Sequence, residues 1–290
     1  MQLVVQGFLF ASLFDTEGRI PVYTANVVVL DPDVPEAPRP SSYLWHRVSL
    51  TLCSMSELPA KQPIQSIVGQ PSNCETKVNC GKFQAVTEDY TKNPFSCDRG
   101  HLSPNSINGQ EEDKQVGTFT LTNAAPQFAN FNRLSWREFE CVAQAAILDL
   151  VPKEKVYILT GTYESSIGHD GEELWMNADD SDGKNAIKIP GYFWKAVCYP
   201  GNEELGKEPW AYGLMEQNIN YEKIADYNNY INIKEFSDKY FTSDIFGPEC
   251  MKAGFGAFGD HVFSNWKDYM ISHCSSEWDP IAKRWPKTEL

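Results

Sequence analysis

Asp98-Arg99-Gly100-His101 sets an imidazole close to a guanidinium, and Asn132 and Glu140 follow on a segment that reads as one helix. Histidine is the side chain best poised to take a proton near neutral pH. His101 is therefore the candidate general base, able to deprotonate a water that attacks phosphorus. Arg99 offers a planar fork of donors to a phosphate oxygen. Asn132, Trp136 and Glu140 fall at i, i+4 and i+8, and so line one stripe of a helix. Mg²⁺ takes octahedral oxygen ligation and keeps several waters, so one amide oxygen with a water-holding carboxylate suffices to bind it. Asn132 is the candidate direct ligand, and Glu140 the residue that meets a water of the ion's shell. A base, a cation-binding amide and a fixed positive charge are the parts needed to break a phosphodiester bond. Asn123 suits orienting the histidine or donating to the phosphate, and equally suits capping a turn. His46, His169, His261 and His273 lack comparable neighbours and read as structural or solvated.

The helix that must carry Asn132 and Glu140 is the clearest element in the chain. Leu134, Phe139, Val142, Ala146 and Leu150 approximate an apolar face over Asn132–Leu150, and Pro152 stops it. Upstream, Gly100 fits a turn, and Thr118-Phe-Thr-Leu-Thr122 alternates as a short strand. Two β-rich runs, Met1–Ala11 and Ile20–Leu30, flank the turn at Asp15-Thr-Glu-Gly18 and predict a hairpin. The first of them lacks the basic residues of a cleaved export signal. Residues 30–40 and 54–82 read as loops. Val156–Gly161, Ile187–Tyr199 and Trp210–Met215 read as strands, Glu235–Tyr240 and Trp266–His273 as short helices. Strands and helices mixed without regular β-α alternation predict an α+β fold. We read residues 1–290 as a single domain, with a core over about 8–250 and a C-terminal extension over 251–290.

A chain of 290 residues, 42% hydrophobic, is large enough to bury a core unaided. It has no apolar run near the ~20 residues that span a bilayer, so no membrane partner is expected. The eight cysteines form no C-x-x-C pair, which speaks against zinc, including zinc held by His101. Their even, scattered distribution predicts disulfides and an oxidising compartment; buried thiols are the plainer alternative. Cys74 and Cys80 are close enough to close a short loop. Net charge is −14, with 11 basic against 16 acidic side chains in 1–150 and 14 against 23 in 151–290. That balance argues against holding nucleic acid by bulk electrostatics. It leaves room for a bound cation and a local patch, for which Arg39, Lys92, Arg133 and Arg137 are the candidates.

Several of these segments together resemble one family. Asp98-Arg-Gly-His101-Leu-Ser-Pro104 resembles the D-R-G-H signature of the DNA/RNA non-specific endonucleases, which have the ββα-metal, or His-Me finger, fold. Phe83-Gln-Ala-Val-Thr-Glu-Asp-Tyr90 resembles the family's A-x-x-x-D-Y lead-in. Leu121-Thr-Asn-Ala-Ala-Pro-Gln127 resembles its S/T-N-x-x-P-Q segment. Asn132-Arg-Leu-Ser-Trp136-Arg-Glu-Phe-Glu140 resembles its N-x-x-x-W-x-x-x-E helix. Asp15–Ala25 and Arg39-Pro-Ser-Ser-Tyr43 are similar to the start of the secreted animal branch of endonuclease-domain-containing proteins. The resemblance runs over roughly Phe8–Cys250. It implies a secreted endonuclease acting on DNA and RNA with little sequence preference and leaving 5′-phosphate products. By it, His101 is the base, Asn132 the Mg²⁺ ligand (Mn²⁺ or Ca²⁺ being possible occupants), Glu140 the carboxylate that holds the ion's water, and Arg99 the phosphate-stabilising arginine. Asn123 supports the site, and Arg39 matches a further substrate-binding arginine. One position departs: secreted bacterial members carry arginine four residues beyond the helix glutamate, where this chain has Gln144. That loss and the acidic balance favour an alternative, a secreted binding protein on the nuclease fold with weak or absent catalysis.

An acidic protein that grips a polyanion through a few cations binds with strong salt dependence. Lys92→Ala and Arg133→Ala should therefore raise the apparent substrate constant and flatten its dependence on salt. Cleavage rates at several ionic strengths check this, and wild-type salt slopes in both variants would refute the patch.

Overall fold

The computed structural model describes residues 2–6, 9–37, 84–91, 93–176, 186–221, 223 and 225–274. The strands are β1 (Gln2–Gln6), β2 (Phe10–Asp15), β3 (Ile20–Val28), β4 (Cys97–His101), β5 (Ala124–Phe128), β6 (Val156–Ser165), β7 (Trp175–Met176), β8 (Ile187–Lys188), β9 (Pro190–Tyr199), β10 (Trp210–Gln217) and β11 (Tyr230–Asn232). The helices are α1 (Thr87–Thr91), α2 (Glu112–Gly117), α3 (Ala129–Phe131), α4 (Arg137–Leu150), α5 (Ile233–Tyr240), α6 (Pro248–Lys252), α7 (Gly256–Phe258) and α8 (Trp266–Cys274). A π-helical turn, Asn132–Trp136, joins α3 to α4. The strands order as β1-β2-β3-β6-β9-β10-β11, with separate pairs β4-β5 and β7-β8. The fold is α+β, as the irregular mixture of patterns predicts. By internal contacts the described residues fall into two compact units. One draws on residues 1–26, 36–128 and 160–193, the other on 27–35, 129–159 and 194–290.

In the first unit, β1, β2 and β3 pair antiparallel, so the apolar start of the chain is strand as its pattern predicts, but the two-run hairpin is corrected: the first run divides, β1 pairs with β2, and the strand that meets β3 across the turn is β2. Asp15 closes the turn before β3 by accepting the Glu17 N–H at 3.0 Å. β2 alternates buried and half-buried positions, with Phe10 and Phe14 inward. Arg19 follows in the left-handed region, φ 59°, and its side chain is 1% exposed. Its Nη2 meets Asp89 Oδ2 at 3.2 Å and donates to the Gln84 carbonyl at 2.8 Å. Asp89 Oδ2 also accepts the Val86 N–H at 2.7 Å. A buried ion pair holds only when its remaining donors and acceptors are met, and here the surrounding backbone meets them. The pair fixes residues 84–89, just ahead of β4.

β4 and β5 pair antiparallel, Arg99 opposite Pro126 and His101 opposite Ala124. Two expectations are corrected here. Gly100 is a strand residue, not a turn. A Cβ there would lie 2.0 Å from Gln127 Oε1, so glycine is required by close approach. Thr118–Thr122 is not a strand. Thr118 ends α2, residues 121–123 form a 3₁₀ turn, and the strand is the next segment, Ala124–Phe128. Local hydrogen bonding overrides the alternation: the Thr118 hydroxyl donates to the Gln115 carbonyl at 2.7 Å.

Two later strands also differ in extent. β6 continues past Gly161 to Ser165. The run 187–199 is broken at Ile189, whose N–H turns to the Leu174 carbonyl at 3.1 Å, so that β8 pairs with β7.

In the second unit the helical run 129–150 buries Leu134, Trp136, Phe139, Val142, Ala143, Ala146 and Ile147. It ends where Val151 leaves helical geometry while still donating to the Ile147 carbonyl, and Pro152 follows. Phe258 is fully buried among Tyr212, Phe263 and Trp210, with ring centroids at 4.3, 5.4 and 5.6 Å. α5 and α8 lie where the sequence places them. No helix among the described residues is long and apolar enough to cross a membrane.

Disulfides join Cys141 to Cys274 and Cys198 to Cys250. The expected disulfides and the alternative of buried thiols both occur, since Cys97 is a buried free thiol. Burial, then the charge of Asp98, pushes that thiol up to about 12, which keeps it protonated and inert. Cys53, Cys74 and Cys80, the Cys74–Cys80 loop and the stretch 54–82 lie outside the described residues. Non-reducing peptide mapping should recover the Cys141–Cys274 and Cys198–Cys250 pairs, with Cys97 alkylated only after denaturation. A crosslinked Cys97 would contradict the assignment.

Candidate active site

Side chains alternate along a strand, so Arg99 and His101 share one face of β4 while Asp98 and Gly100 take the other. Gly100 and Gln127 interlock on that second face, where the missing Cβ leaves room for the glutamine amide. The Arg99 guanidinium carbon lies 5.2 Å from the centroid of the Tyr90 ring, a cation–π contact. Burial holds the Tyr90 phenol well above its ordinary value, so the ring is neutral and polarises toward the cation. The A-x-x-x-D-Y lead-in thus divides its work: Asp89 holds Arg19, and Tyr90 seats Arg99. His101, half-buried, is met edge-on by Phe119 with ring centroids 5.0 Å apart.

Asn123 is fully buried, and its amide is committed to backbone. Oδ1 accepts the Ser103 N–H at 2.8 Å. Nδ2 donates to the Ser103 and Thr118 carbonyls, both at 2.9 Å. The Leu102 N–H meets the Asn123 carbonyl at 2.9 Å. Asn123 therefore fastens the residues that follow His101 to those that precede β5. With both amide hydrogens used, it has no donor to offer a phosphate.

In the second unit, Asn132 and Trp136 open and close the π turn, and Glu140 follows one turn into α4. π turns recur at functional sites because they re-aim the side chains of a helix. Trp136 is buried against Phe131, with centroids 5.5 Å apart. Glu140 is half-buried, but its Oε1 oxygen is buried and accepts no hydrogen bond. Burial pushes the Glu140 carboxyl up; the Lys195 ammonium, the Trp136 indole N–H and the Arg137 guanidinium pull it back. Burial lowers Lys195 in turn, and Glu140 opposes that shift. Lys195 has no place in the sequence reading, where 187–199 is only a strand. The available signal was one lysine inside the apolar run Phe193-Trp-Lys-Ala-Val197.

The remaining candidates are placed unevenly. Arg133 is exposed, while Arg137 and Gln144 are half-buried. Arg39 and Lys92 lie outside the described residues. The donor set fits a hard divalent cation: an amide oxygen on Asn132 and, on Glu140, a buried carboxylate oxygen that lacks a donor. Among the described residues no three His, Cys, Asp or Glu side chains form a metal cage, so an ion held by this set would keep most of its waters.

A strand pair followed by a helix that carries the cation ligands is the defining unit of the ββα-metal nuclease fold. The chain belongs to the DNA/RNA non-specific endonuclease family, whose model matches residues 71–242. Over 220 residues it is 27% identical to the human Endonuclease domain-containing 1 protein, covering 75% of this chain and 37% of that protein. Over 117 residues it is 28% identical to the mitochondrial nuclease EXOG of Danio rerio, covering 40% and 32% respectively. The chain thus matches about a third of the length of these curated relatives. The solved EndoG/EndoGI complex contains a chain of the same fold, with a TM-score of 0.56 over 88% of this chain and 91% of that one, at 17% identity.

Asn123→Ala would strand a buried N–H and two buried carbonyls next to His101. It should destabilise the protein by about 3 kcal/mol, read as a lower midpoint in thermal or urea unfolding. An unchanged midpoint would mean that the clasp is dispensable.

Proposed function

We propose that this chain is a secreted, magnesium-dependent endonuclease that hydrolyses phosphodiester bonds in DNA and RNA with little sequence preference and leaves 5′-phosphates. In this reading the whole chain works as one catalytic domain. The observation that carries it is the shared face of Arg99 and His101 on β4, with Arg99 seated on Tyr90. His101 takes the proton of a water as its oxygen attacks phosphorus. The bond from phosphorus to the 3′-oxygen breaks, and the departing oxygen takes a proton from solvent. Arg99 donates to the phosphate oxygens, whose charge grows in the transition state. Asn123 ties the residues that follow His101 to those that precede β5 without touching the substrate.

The carbonyl oxygen of Asn132, and Glu140 through a water, would hold Mg²⁺, with Mn²⁺ or Ca²⁺ acceptable to the same oxygens. An ion bound there supplies Lewis-acid polarisation of the phosphate and charge compensation for the leaving oxygen. Arg133 and Arg137, with Arg39 and Lys92, hold the nucleic-acid backbone. The disulfides among the described residues support an oxidising, extracellular setting. Gln144, in place of the arginine of secreted bacterial members, supports the second reading, a binding protein on this fold with little catalysis.

His101→Ala should cut plasmid cleavage by ~10²–10⁴-fold with an unchanged melting curve. Asn132→Ala should weaken metal dependence, and Glu140→Gln should leave residual activity. Excess EDTA should abolish cleavage. Wild-type cleavage by the His101 variant removes it as the base, and full activity in EDTA removes the cation. Binding of nucleic acid without cleavage under Mg²⁺, Mn²⁺ or Ca²⁺ would favour the binding-protein reading.

A further inference from the structure

Lys195 is an anomaly in its strand. β9 is buried along almost its whole length, with Phe193, Trp194, Ala196, Val197 and Cys198 at most 2% exposed, and Lys195 itself is 0% exposed. An ammonium enclosed in this way is strongly unfavourable unless an aromatic face or an anion compensates it. Lys195 has both. Its Nζ lies 5.4 Å from the centroid of the buried Trp136 ring, and its charge acts on the Glu140 carboxylate. Trp136 and Glu140 are one helical turn apart, so a single ammonium serves both. The other buried acid on α4, Glu138, is occupied elsewhere: its Oε2 accepts the Ala225 N–H at 2.5 Å. Residues 138 and 140 are also two apart, and so point in different directions.

We infer that Lys195 is a positioning residue of the active site: its buried ammonium, seated on the Trp136 ring, orients the Glu140 carboxylate toward the water of the bound cation. The inference rests on the reading that Glu140 serves a cation. An opposite charge fixed on a strand sets the rotamer of the carboxylate, whose buried Oε1 oxygen accepts no hydrogen bond from the protein and so keeps its lone pairs for a water that the cation brings. Lys195 would touch neither substrate nor cation.

The test is a double-mutant cycle of Lys195→Met, Glu140→Gln and the pair, followed by thermal melts, Mn²⁺ binding by electron paramagnetic resonance, and plasmid cleavage. Lys195→Met should lower the melting temperature by on the order of 10 °C, because it leaves a buried charge uncompensated. The double variant should regain at least half of that loss. Mn²⁺ affinity and cleavage should fall by roughly 10–100-fold in Lys195→Met, and the double variant should be no worse than Glu140→Gln alone. If Lys195→Met alone does not fold, a cooperative melt of the double variant supports the pair and its absence overturns it. Additive melting losses, or wild-type Mn²⁺ affinity in Lys195→Met, overturn the Lys195 assignment while cleavage by the wild type still stands. A wild-type protein that neither binds Mn²⁺ nor cleaves overturns the nuclease reading, and with it any positioning role.

Discussion

One side-chain amide governs the geometry of the candidate base. β4 stops at His101 and β5 starts at Ala124, so the chain makes its whole excursion through residues 102–123 and must return to where it left. Backbone pairing between Leu102 and Asn123 marks that return, and the Asn123 side chain secures it on both sides. Each bond adds only ~1 kcal/mol net, but leaving a buried donor or acceptor unmade costs more than making it gains. The closure is therefore close to all-or-none. The register of β4 against β5 follows from it.

Around that closure, polar and cation–π contacts of the first unit seat the candidate residues. The Arg19–Asp89 pair fixes the segment that ends in Tyr90, Tyr90 carries Arg99, and Arg99 is two residues from His101. The second unit uses the opposite arrangement. There an amphipathic helix is set by its apolar face, and the polar residues of interest lie on its first turns, where a π turn spaces Asn132 and Trp136.

The family motifs were more legible in the sequence than the local structure that carries them. Asp98–His101 announced itself by residue type, yet its strand was hidden by Gly100, which looks like a turn until the Gln127 side chain is seen to occupy the missing Cβ. The partner strand was hidden by Pro126. Proline demotes a central strand, but both members of a two-stranded pair are edges, where the lost N–H costs little. The neighbouring T-F-T-L-T alternation drew the strand assignment instead, although its hydroxyls serve local turns. The helix 132–150 was legible because a 3.6-residue apolar period over many residues has few rivals. Asn123 was visible as a residue of interest, but its role was not, since its partners at 103 and 118 are set by folding. Lys195 was missed for a related reason: its significance comes from Trp136, which is remote in sequence.

The bond from Cys141 to Cys274 has a consequence for the chain before it folds. It starts one residue after Glu140 and closes a loop with a sequence separation of 133, inside which the Cys198–Cys250 bond closes a second of 52. In the chain-entropy account a loop of the larger size removes about 5 kcal/mol of freedom from the unfolded ensemble. In the oxidised denatured protein these two bonds therefore form nested rings, with α4 at the outer junction. When such a chain refolds, the search for the partner of that helix is already over.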